Sequence, residues 1–231
     1  MHEANLSSTL SYLMLFTSVA AIEMRNLRYS SYTYGLQALL ICGLLLTYAV
    51  VAQNPALYIW SAVAFATKAV VTPMLLFWAI RKTGEKEQKP IVGFGPSVII
   101  AVLIMIGFFN LVQRHGEFLA MPQSVRGAVM FTAVEAAALR TNLAVALTVF
   151  AVGLYGILTR RDAVKMVIGL CLLENGVHMS LLSLAPGIRD TAVLGIASEV
   201  VITAGLLLYL IIGIHERFGS TDTFKLSELH W

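Results

Sequence analysis

The chain has 231 residues, of which 58% are hydrophobic and only 13% charged, with a formal net charge of +3. Water-soluble domains carry roughly a quarter charged residues, so this composition excludes an ordinary soluble globular protein. So small a positive balance gives no argument for nucleic acid as a partner.

A helix needs about 20 apolar residues to cross a hydrocarbon core of about 30 Å. Runs of that kind occur at Asn5–Ile22, Tyr32–Ala52, Ala56–Ile80, Gly93–Val112, Thr141–Thr159, Ala163–Leu184 and Thr191–Ile214. They predict an all-α integral membrane protein with about seven transmembrane helices. The first run is preceded by "MHEAN", without Lys or Arg, and its arginines follow it. It reads as an uncleaved anchor rather than a signal peptide. The links after spans one, three and five, with the C-terminal tail, hold Arg25, Arg28, Arg81, Lys82, Lys86, Lys89, Arg160, Arg161, Lys165, Arg217 and Lys225. The opposite side holds Arg114, Arg126, Arg140 and Arg189. The positive-inside rule then puts the N-terminus outside and the C-terminus in the cytoplasm.

The charged link Arg81–Pro90 divides the spans loosely. Residues 1–112 form an N-terminal four-helix region. Residues 113–140 form an outer-side link, which reads as an interfacial helix or as an outward extension of span five. Glu135 in it reads as wet. Residues 141–231 form a three-helix region with a cytoplasmic tail. Cys42 and Cys171 lie in different spans, and iron–sulphur clusters usually need about four thiolates, so both read as packing residues. No haem, zinc, phosphate-loop or dinucleotide fingerprint occurs, and no cofactor is expected in this chain.

A charged side chain at the bilayer centre costs at least about 2.5–3.5 kcal/mol, and such residues normally face protein or a hydrated cavity. Span three, "WSAVAFATKAVVTPMLLFW", carries Lys68 near its middle, followed by Pro73. Proline cannot donate to the carbonyl of Ala69, so a kink is expected one turn from the lysine. Span six, "GLCLLENGVHMSLLSLA", carries Glu174 roughly 16 Å into the membrane, with His178 on the same face and Asn175 offset from it. Span seven carries Glu199, roughly 12 Å from its outer end and near the height of Glu174. Ionisable groups held at that depth and chained by water make a proton path. The bland readings are that Lys68 pairs with a neighbouring subunit, that His178 merely packs, and that Glu199 merely pairs with Lys68.

"TRRDAVKMVIGLCLLENGVHMSLLSLA" followed by "LGIASEVVITAGLLLYL" resembles chain K of respiratory complex I and the C subunit of multisubunit Mrp-type cation/proton antiporters. Arg160–Arg161, Ile168-Gly169-Leu170 and Glu199 match that family's pattern. Its first glutamate would fall on Cys171, whereas the carboxylate here is Glu174, close to one turn further on. "IWSAVAFATKAVVTPMLL" with "CLLENGVHMSLL" resembles the hydrogenase-4 component E family over nearly the whole chain. That resemblance implies a membrane-arm subunit of a formate hydrogenlyase-type energy-converting hydrogenase in the cell (inner or plasma) membrane. Nickel–iron and iron–sulphur centres would sit in a soluble hydrogenase arm on the cytoplasmic side, beside antiporter-like membrane chains. Glu174, Glu199, Lys68 and His178 would serve a proton relay here. The alternatives are a small subunit of a cation/proton antiporter without a redox arm, or a structural organiser.

Overall fold

The computed structural model describes the backbone of residues 2–53, 55–84, 91–115, 133–184 and 190–223, and the side chains of 6–51, 53, 55–84, 91–115, 137–184 and 202–223. The helices are α1 (His2–Glu23), α2 (Leu27–Ala52), α3 (Pro55–Thr83), α4 (Phe94–His115), α5 (Ala133–Thr159), α6 (Ala163–Leu184) and α7 (Asp190–Phe218). Every expected span is a helix, and α6 coincides with its expected bounds end to end. The first six are long and apolar enough to cross a membrane over the residues described, and α7 is 29 residues long. Residue Thr141 does not begin span five, because the helix already runs from Ala133. Residues 116–132, where an interfacial helix was considered, lie outside those described.

The surface chemistry fits lipid. Phe16, Leu158, Tyr209, Met74 and Phe94 stand on the outside, while Ser11, Ser18, Ser31, Gln37, Thr72 and Asn142 are buried. A water-soluble domain reverses that order. In lipid the helices gain little from burying apolar surface, so close packing and hydrogen bonds hold them together. The α5–α6 pair is the most intimate in the bundle. A Cβ added at Gly153 would lie 2.4 Å from the Leu173 nitrogen, and one at Gly176 would lie 2.5 Å from the Phe150 nitrogen. Only hydrogen fits where these two backbones touch. Helix α4 rests on α5 at the periphery, and α7 packs on α3 and α6.

Local signals set the helix ends. Asn26 caps α2 by accepting from the Arg28 N–H at 3.0 Å. Asp162 caps α6, its Oδ1 accepting from Val164 N–H at 2.8 Å and Lys165 N–H at 3.1 Å. The chain beyond α7 then clasps this cap. Thr221 Oγ1 donates to Asp162 Oδ2 at 2.5 Å, and the Thr223 N–H donates to the Arg161 carbonyl at 2.9 Å. Asp162→Ala removes the cap and the Thr221 side-chain bond of the clasp, and the cap alone is worth about 0.5–2 kcal/mol. The expected result is faster trypsin cleavage of the tail after Arg217 in detergent-solubilised protein, with Asp162→Asn retaining most of the protection.

Two larger apolar layers fill the interior among the described residues, with a smaller cluster of Val112, Leu143 and Ala144 where α4 meets α5. One gathers Ile22, Leu27, Ile80, Val164, Ile168 and Leu208. The other gathers Met14, Ile41, Leu45, Trp60, Val149 and Met179. Between them, near mid-span, lies a polar belt.

A candidate proton-relay site at the middle of the bundle

Helix α3 is α-helical over Pro55–Ala64, π-helical over Phe65–Val71, and α-helical again over Thr72–Thr83. The expected disturbance at Pro73 therefore takes the form of a wide turn preceding the proline. Pro73 offers no N–H to the Ala69 carbonyl, and the ladder slips by one residue before it. The Thr72 N–H reaches back to the Thr67 carbonyl, and Thr72 Oγ1 donates to the same oxygen at 2.9 Å. Lys68 sits inside this wide turn and is 1% exposed.

An ammonium group has three N–H donors. Lys68 Nζ has three acceptors around it, all on α6. Asn175 Oδ1 is at 2.7 Å, Glu174 Oε1 at 3.2 Å, and His178 Nδ1 is in direct contact. Glu174 and His178 lie one turn apart, with Oε1 and Nδ1 3.5 Å from each other. When Lys68 donates to Nδ1, the imidazole is neutral and carries its proton on Nε2. Trp60 stands edge-on to the imidazole, with ring centroids 5.7 Å apart. The lysine is enclosed, whereas the Glu174 side chain is 23% exposed. Glu174 is thus the member of the trio with a path to the surface of the subunit.

The network continues across the bundle. Asn175 Nδ2 donates to Gln37 Oε1 at 3.0 Å, and Gln37 Nε2 donates to Ser18 Oγ at 2.7 Å. Ser18 Oγ donates to the Met14 carbonyl at 2.6 Å. Helices α1, α2, α3 and α6 therefore share one chain of hydrogen bonds. A buried polar network this connected is favourable only because each member finds a partner.

The structure brings Lys68, Glu174 and His178 together. Glu199 lies on α7, with its side chain outside the described residues. The acidic partner that Lys68 finds among the described residues is Glu174, and His178 contacts both. Gln37 and Ser18 were not singled out from sequence, although a buried amide in an apolar span is itself a signal.

A second polar cluster lies near the α6 N-terminus. Arg160 and Lys165, counted above among the positive charges at the inner end of spans five and six, are both buried. Arg160 pairs with Glu23 of α1 at 2.5 Å, and Ser97 of α4 bonds both Glu23 and the Tyr155 hydroxyl, the latter at 2.7 Å. Lys165 Nζ donates to the Ala21 carbonyl and to Ser30 Oγ, each at 2.6 Å. The reason is geometric: the α1–α2 turn presents its carbonyls and hydroxyls to the first turn of α6. Cys42 and Cys171 are buried in different layers, and among the described residues no three His, Cys, Asp or Glu side chains gather to hold a metal.

The chain is similar to known membrane subunits. Residues 141–231 match the family model of NADH-ubiquinone/plastoquinone oxidoreductase chain 4L. Hydrogenase-4 component E of Escherichia coli K12 is 28% identical over 223 residues, covering 96% of each chain. The same protein of Shigella flexneri gives the same figures. NAD(P)H-quinone oxidoreductase subunit 4L of a Nostoc strain is 28% identical over 99 residues, which is 40% of this chain and 98% of that one. Both resemblances expected from the sequence, to hydrogenase-4 component E and to the complex I chain, are present. No solved structure matches the chain.

Proposed function

We propose that this chain, a relative of hydrogenase-4 component E along nearly its whole length, is a membrane-arm subunit of a multisubunit, complex I-like hydrogenase of the formate hydrogenlyase kind. Similarity over 96% of both chains supports the reading, since it covers the four N-terminal spans that a chain 4L protein alone does not match. The chain is multi-pass. Its place is the inner or plasma membrane, with the Arg160–Lys165 end on the cytoplasmic side, by the charge asymmetry of its links. There a soluble arm in other chains carries the nickel–iron and iron–sulphur centres, and antiporter-like chains lie alongside.

Within the complex the chain moves protons. The single observation that carries this role is the trio at mid-span in which Lys68 bonds His178 and pairs with Glu174, with Glu174 opening to the surface. A charge placed there solely for assembly needs no titratable neighbour on its third acceptor. Glu199, at similar height on the next helix, is the further relay carboxylate. Purification through a tag on this chain checks the assignment. Nickel and iron are expected to co-purify with it; their absence, together with sodium/proton exchange by the isolated complex, would instead assign the chain to a cation/proton antiporter.

A further inference from the structure

Helices α1 and α4 run side by side and are joined at two places. Partway across the bundle the Tyr12 and Phe109 rings stack, with centroids 6.4 Å apart. At the Arg160 end the Ser97 hydroxyl donates to the Glu23 carboxylate. The two contacts lie about 16–18 Å apart along either helix. Between them the helices part and leave a slit of about 530 Å³, lined by Leu15, Val19 and Ala20 of α1 and Val98, Val102 and Met105 of α4. Among the described residues Glu23 is the one charged group on its wall, and Arg160 neutralises it at 2.5 Å. Helix α4 is 22 residues long and buries only Ser97, Ala101 and Val112. Its side toward α1 is therefore largely unfilled.

The shape of the slit selects its occupant. A helix is about 10 Å wide with its side chains, and it cannot enter between two helices that stay joined at both ends. A polar small molecule of matching volume needs polar groups to orient it, and here Ser97 and Glu23 already bond each other. A flexible hydrocarbon chain has neither difficulty. Left empty, the slit would forfeit the contacts its lining can make.

We propose that the slit holds one acyl chain of an anionic phospholipid, with the phosphate of its headgroup at Arg25. The slit is as long as one leaflet is deep, since half of a hydrocarbon core is about 15 Å. It begins where α1 ends, at Glu23, which is the level of a headgroup. Met24 lines its mouth, and Arg25, the next residue, is exposed. Arg28 is exposed at the same end of the bundle. Cations just outside the hydrocarbon attract anionic headgroups, and Glu23 does not oppose them because Arg160 holds it. The chain then acts as a strut that fastens α4 to α1. Neither Lys68 nor Glu174 takes part.

The test uses the complex purified in mild detergent through a tag on this chain. Retained phospholipid is extracted and counted per chain by mass spectrometry. Ala20→Trp fills the slit with an indole and is expected to lower the count by about one. Leu103→Trp puts the same ring on α4 outside the slit, where Leu103 is 62% exposed, and is expected to leave the count unchanged. Should Ala20→Trp accumulate poorly, Val102→Trp fills the slit from the opposite wall at an exposed position. Arg25→Gln is expected to weaken rebinding of phosphatidylglycerol to the delipidated complex about fivefold at low salt. An unchanged count in the slit variants would overturn the proposal. A count lowered equally in Leu103→Trp would show annular lipid alone and overturn it too. Loss of a protein chain from the complex with the lipid count unchanged would make the slit a seat for a partner subunit instead. Undiminished phosphatidylglycerol rebinding in Arg25→Gln would overturn the headgroup assignment.

Discussion

Lys68→Met is expected to abolish proton movement by the complex and to destabilise the subunit. Removing one partner of a buried ion pair costs about 3–5 kcal/mol, because the other charge is left uncompensated. Glu174 keeps a face at the surface, which places the expected loss toward the low end of that range. Asn175 Oδ1 and His178 Nδ1 lose their donor in the same step. The double variant Lys68→Met with Glu174→Gln strands no charge and is expected to recover much of the stability without recovering proton movement. Two measurements separate the roles: thermal unfolding of the purified complex in detergent, and acidification of vesicles driven by its turnover. Normal acidification in Lys68→Met would remove the relay. Acidification that falls only in proportion to the amount of complex assembled would make Lys68 a structural anchor.

Gly176→Leu is expected to have the largest effect on folding. Its Cβ alone would sit 2.5 Å from the Phe150 nitrogen and 2.8 Å from the Ala146 carbonyl oxygen. These are backbone atoms, which no rotamer change can move. Overpacking of a core by side-chain atoms typically costs about 1–3 kcal/mol, and a clash with a neighbouring backbone lies at or beyond the top of that range. Helices α5 and α6 would have to separate, carrying Glu174, Asn175 and His178 away from Lys68. Gly176→Leu is therefore expected to leave almost no assembled protein in the membrane on immunoblotting. Gly107→Leu makes the same substitution where an added Cβ meets no side chain and no other helix within 4 Å, and it is expected to accumulate normally. Equal levels of the two would show that the α5–α6 contact is not required.

The midplane site was largely legible because its members are conspicuous. A lysine, a glutamate and a histidine inside apolar runs announce themselves through the cost of placing them there. The width of the turn at Lys68 was legible only as a disturbance near Pro73. Whether such a disturbance becomes a kink or a π-turn depends on where the donors before the proline go, and here the Thr67 carbonyl takes both donors of Thr72. The burial of Arg160 and Lys165 was not legible, because basic residues at helix ends usually reach water. Here Glu23, Ser30 and the Ala21 carbonyl meet them from other helices.

The sequence by itself determined the membrane class, the spans and their charge asymmetry, and the depth of Lys68, Glu174 and His178. Each follows from run length and from rise per residue, which are local quantities. Only the tertiary structure decided which charges meet. In water, an amphipathic stripe shows which face of a helix turns inward. In lipid the outward face is as apolar as the core, so that stripe fades and rotation about the helix axis is set by backbone contact instead. Gly153 and Gly176 lock α5 to α6, and the wide turn in α3 holds Lys68 against α6. The Lys68 contacts join residues more than a hundred positions apart in the chain, a separation no local pattern spans.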